Sequence, residues 1–73
     1  MAEEAFELVD IPGGHSGPYW GLGEAELAAV ARIRGCVTLY RVLIFSRWEW
    51  PYLGARPIKE ISREEAFTPE YQI

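Results

Sequence analysis

The chain has 73 residues, 49% of them hydrophobic and 25% charged, and carries a net charge of −4 at pH 7. That length allows a single small domain, burying about 60–65% of the surface that the unfolded chain exposes, and the composition is globular rather than disordered. One cysteine and one histidine exclude an internal disulfide and a four-ligand Cys/His zinc site. The longest apolar run, Val42-Leu43-Ile44-Phe45, is far short of the roughly 20 residues that cross a bilayer, and the N-terminus is acidic where a signal peptide is basic. These features lead us to expect a cytoplasmic protein with no cofactor and no membrane contact.

In chain order, Phe6–Ile11 reads as a strand, placed at a sheet edge because it mixes acidic with apolar residues. Pro12 to Gly23 reads as a long loop with five glycines and the aromatic pair Tyr19-Trp20. Glu24–Arg34 is rich in helix formers, with glutamates in its first turn and arginines in its last, as the helix dipole favours. Gly35 follows where a capping glycine belongs. Leu27, Val30, Ala31 and Ile33, with Leu22, supply the apolar stripe of this helix.

Cys36 to Trp50 reads as one extended run with two apolar sides. Val37, Leu39, Leu43 and Phe45 occupy one side, together with Arg41 and Arg47; Tyr40, Val42, Ile44, Trp48 and Trp50 occupy the other. A bulge is expected near Arg41–Leu43. Pro51–Pro57 is a turn, and Ile58–Ile61 returns antiparallel. Ser62 with Glu65 forms a capping box, so Arg63–Phe67 makes one helical turn. The expected fold is α+β: one short helix on a small, mainly antiparallel sheet of two or three strands, comprising residues 1–67, with 68–73 a flexible tail.

Charge is distributed in blocks. Residues 1–31, 32–59 and 60–73 carry −6, +5 and −3, which together give the net −4. The blocks either neutralise one another across the fold, at about 0–1 kcal/mol per exposed pair, or form a two-signed surface that steers a partner.

Little in the chain points to catalysis. Cys36 is read as a small core residue opening the central strand, and His15-Ser16 lacks the context of a nucleophile. Gly21-Leu22-Gly23 precedes a helix as a phosphate loop does, but Glu24 and Glu26 put negative charge where a phosphate would sit. Paired carboxylates such as Glu64-Glu65 lie outside any apolar pocket that would separate their pKa values. No enzymatic activity is expected.

The aromatic and basic residues Tyr19, Trp20, Arg41, Arg47, Trp48, Trp50, Tyr52 and Arg56 are of the types that dominate binding hot spots, and they are the candidate partner-binding set. One helix covers only one side of a strand that is apolar on both. Part of the tryptophan-bearing side is therefore expected to remain open, as interaction sites do. Trp48 and Trp50 in the core is the competing expectation.

With its length, its acidic balance and the centre Trp48-Glu49-Trp50-Pro51-Tyr52, the chain resembles the small RNA polymerase-binding transcription regulators of lytic bacteriophages. The resemblance implies a non-enzymatic protein of the bacterial cytoplasm, monomeric when free, that contacts the large subunits of host RNA polymerase near the RNA exit channel. It would hinder sigma-factor engagement, block initiation and permit terminator read-through, with emerging RNA near Arg41, Arg47 and Arg56. Two alternatives stand beside it: a single-stranded RNA-binding module using the Arg-Trp-Tyr cluster, and a different phage inhibitor that mimics nucleic acid, which the basic central block disfavours.

Overall fold

A computed structural model describes residues 4–48 and 55–71, with backbone only for Trp48, Ala55 and Arg56. The elements are β1 (Glu4–Ile11), β2 (His15–Tyr19), α1 (Leu22–Gly35), β3 (Arg41–Trp48), β4 (Ala55–Ser62) and α2 (Arg63–Ala66), followed by a 3-10 turn at Pro69–Tyr71. The fold is α+β, and its sheet has four antiparallel-paired strands in the order β2-β1-β3-β4 rather than two or three.

The additional strand comes from the glycine segment expected to be a loop. His15–Tyr19 pairs with β1, which moves β1 from the expected edge into the interior of the sheet. Glycine makes that approach possible. Gly17 has a φ of 138°, and a Cβ there would stand 3.0 Å from the Phe6 carbonyl oxygen, a contact no side chain tolerates without displacement. Because β2 and β3 both pair antiparallel with β1, they run parallel to each other, and α1 makes the crossover between them.

Strand alternation sorts each strand's residues onto two faces. Phe6 and Leu8 of β1, Val42 and Ile44 of β3 and Ile61 of β4 turn to the helix and form one core with Ala25, Ala29, Val30 and Ile33. The helix buries Val30 and Ile33 of the expected stripe together with Ala25 and Ala29, whereas Leu22, Leu27 and Ala31 are exposed. Leu27 lies two residues before Ala29, about 200° around the helix, and is 56% exposed. The small side chains of Ala25 and Ala29 let the helix lie close on the sheet beside Val30 and Ile33.

The helix ends also differ from expectation. The helix extends back to Leu22 with Gly21 as N-cap, and Glu24 reaches back to accept the Trp20 amide hydrogen at 3.2 Å. Gly35 is the last helical residue, not a left-handed cap. Arg63 does the capping instead. Its Nη1 donates to the carbonyls of Ile33, Cys36 and Leu39 at 2.9–3.0 Å, satisfying groups that a helix terminus leaves unpaired. Cys36 is exposed at the C-cap rather than buried, because residues 36–40 form a turn and the strand starts only at Arg41.

The Ser62 half of the expected capping box is present. Ser62 is the N-cap of α2 and its Oγ accepts the Glu65 amide hydrogen at 3.2 Å. The irregularity expected near Arg41–Leu43 falls slightly later, between Ile44 and Phe45 in the β3–β4 ladder. Tyr71 packs against the core and donates its hydroxyl to Glu26 at 3.4 Å, which ties the 3-10 turn to α1.

Candidate functional site

The opposite face of the sheet carries the residues that alternate with the core: Glu7, Val9 and Ile11 on β1, and Arg41, Leu43, Phe45 and Arg47 on β3. Across the second ladder, Glu60 lies beside Leu43 and Pro57 beside Phe45, with Ile58 at the irregularity. Val9, Ile11, Leu43 and Phe45 are half-buried, and Ile58 is exposed. Among the described residues no helix covers this face. The short helix α2 leans on α1, where Arg34 Nε donates to the Ala66 carbonyl at 2.8 Å, so both helices share one side.

This open face has an apolar centre and an ion pair toward each end. Arg47 Nη1 stands 2.8 Å from Glu7 Oε2, and Arg41 Nη1 stands 3.1 Å from Glu60 Oε2. Beside the first pair, Ala5, Glu7, Pro18, Trp20 and Arg47 line an open recess of about 230 Å³. Trp20 is 58% exposed there.

The expected partner-binding residues are thus only partly brought together. Trp20 and Arg47 meet at one recess. Arg41 shares their face but sits six residues along β3 from Arg47, about 20 Å at the rise of a strand, so it does not join that cluster. Tyr19 belongs to the helix side, packed against the core with its hydroxyl 3.3 Å from Ser16 Oγ. Trp48 pairs with Glu4 and Arg56 with Ser46 through the backbone, and their side chains lie outside the description. Trp50 and Tyr52 lie outside the described residues altogether.

The open face is not the one expected. The Val42 and Ile44 side, with which the tryptophans were grouped, is the helix-covered side, while the side of Leu43 and Phe45 is open. Glu7, Val9, Leu43 and Phe45 were missing from the candidate set. The signal for them was in the sequence: Glu7, Arg41 and Arg47 alternate with core residues, and charges mark the face of a strand that meets water.

The charge blocks neutralise one another across the fold. Glu7, Asp10 and Glu26 of the acidic first block pair with Arg47, Arg32 and Lys59 of the basic second block, and Glu60 of the third block pairs with Arg41. Asp10 is 4% exposed and accepts from Arg32 Nε at 3.0 and 3.1 Å and from Nη2, bonds that raise the Arg32 pKa above its ordinary value. Lys59 is likewise raised, chiefly by its hydrogen bond to Glu26.

A second recess, of about 440 Å³, lies beside the Asp10–Arg32 pair and is lined also by Gly13, Cys36, Thr38 and Leu39. The Cys36 thiol, 3.3 Å from the Thr38 hydroxyl, has its pKa lowered chiefly by that hydrogen bond. Asp10 and Arg32 are spent on each other, so the recess offers an incoming ligand no unmatched charge. Among the described residues no three His, Cys, Asp or Glu side chains group to hold a metal ion, and no helix is long and apolar enough to cross a membrane. No family model, curated protein or solved structure matches the chain.

Proposed function

We propose that the chain is a non-enzymatic protein-binding module that docks through the open face of its sheet, and that it docks on the large subunits of bacterial RNA polymerase. The uncovered apolar centre at Val9, Leu43 and Phe45 carries the docking part of this reading. Contiguous apolar surface of this kind on a small protein is characteristic of interaction sites, and the charged ends supply the polar rim such interfaces have. The choice of partner rests on the sequence resemblance, which also supplies the consequences: hindered sigma engagement, blocked initiation and read-through at terminators.

A protein partner suits this face better than single-stranded RNA. Arg41 and Arg47 each stand beside a carboxylate, so a phosphate backbone would meet Glu7 and Glu60 along with the arginines. The test is binding of the tagged chain to purified, nuclease-treated bacterial RNA polymerase, together with promoter-dependent transcription. Stable binding to the core enzyme and a loss of initiation are expected. Absence of binding, or salt-sensitive binding to single-stranded RNA alone, would overturn the reading.

A further inference from the structure

We propose that, away from any other partner, two copies of this chain close their open faces on each other as a sheet-on-sheet dimer whose two-fold axis runs along the strands between β1 and β3. This rests on the open face itself and not on the identity of the partner above, and it departs from the free monomer that the resemblance implies.

Area is the first consideration. Three strands of eight residues and one of five, rising about 3.4 Å per residue and spaced about 4.8 Å apart, span roughly 470 Å² per copy. The pair then buries about 1,000 Å², near the lower limit for a specific interface and consistent with a weak dimer.

Charge complementarity selects the arrangement. Such an axis lays β1 of one copy over β3 of the other at the same level. Glu7 lies opposite Phe45 in the ladder and Ala5 opposite Arg47, so Arg47 of one copy comes to lie over Ala5 of the second and beside its Glu7. The recess lined by Ala5, Glu7, Pro18, Trp20 and the same copy's own Arg47 is at that point. Glu7 offers the incoming guanidinium a carboxylate, and the exposed Trp20 offers a ring face of the kind arginine packs on. The Glu7–Arg47 pair within each copy becomes a four-member network of alternating sign across the interface. The perpendicular in-plane axis would instead set Arg41 against Arg47, like charge on like.

The test is sedimentation of the purified chain alone over a concentration series from about 10 µM to about 1 mM, the range for a weak interface. The wild type is expected to move from monomer to dimer mass. Glu7→Arg and Arg47→Glu, each alone, place like charges at the network and should remain monomeric, with folding checked by circular dichroism. Mixing the two variants restores complementarity, since one copy supplies both arginines and the other both glutamates, and the mixture should recover dimer mass. A wild type that stays monomeric throughout would overturn the proposal, as would single variants that associate like the wild type or a mixture of folded variants that fails to associate. If either exchange prevents folding, Phe45→Glu decides instead: it must abolish dimer mass, and an unchanged dimer refutes the arrangement. No polymerase is present, so the result is independent of the docking reading.

Discussion

The two faces of this sheet are built from the same strands by alternate residues, and they are finished differently. The face with Leu8, Val42, Ile44 and Ile61 is fully buried under α1. The face with Val9, Leu43 and Phe45 is only half-buried and is closed at its ends by Glu7–Arg47 and Arg41–Glu60. Burial on one side supplies stability, and the other side is left with apolar surface that a partner can use. The difference follows from supply: a 14-residue helix covers one side of the sheet, and among the described residues the other helical segments, α2 and the 3-10 turn, lie on that same side.

Substitutions at neighbouring positions break this comparison most sharply. Ile44→Ala, on the covered face, should lower unfolding free energy in urea by about 2–5 kcal/mol, the range for truncating a buried aliphatic residue. That is a large part of the total for a domain this small. Gly17→Ala should cost about 1–3 kcal/mol in the same measurement, because it combines a positive φ with a 3.0 Å clash against β1. If it is neutral, β2 does not hold the edge as described. Phe45→Ala, one residue from Ile44, should cost no more than about 1–2 kcal/mol, since its ring keeps partial contact with water, yet it should weaken polymerase binding more than any substitution on the covered face. Leu27→Ala should change stability by less than about 0.5 kcal/mol, as exposed positions do. A larger loss would mean that the helix rests on a different stripe.

The local elements were legible in the residues. Helix formers with dipole-matched charges gave α1, Ser62 and Glu65 gave the start of α2, and the apolar run at Val42–Phe45 gave β3. Facing was harder. Val30 and Ile33 of the expected helical stripe are buried, whereas close packing on the sheet selected Ala25 and Ala29, which look neutral in sequence, in place of Leu22, Leu27 and Ala31. The segment from Pro12 to Gly23 reads as a loop because glycine and proline usually interrupt strands, but at Gly17 the glycine is what permits pairing. Of the binding residues, Trp20 and Arg47 were recoverable from type alone. Val9, Leu43 and Phe45 were marked only indirectly, by the charges of Glu7, Arg41 and Arg47 that share their alternation, because the apolar residues themselves do not say which side the helix covers.

The most direct test of the open face is methyl NMR of the dilute monomer with a soluble paramagnetic agent. Signals of Val9 and Leu43 should broaden strongly while those of Leu8, Val42 and Ile44 stay sharp. Equal protection of both sets would contradict the account, because the face assigned to docking would then already be covered by the chain itself.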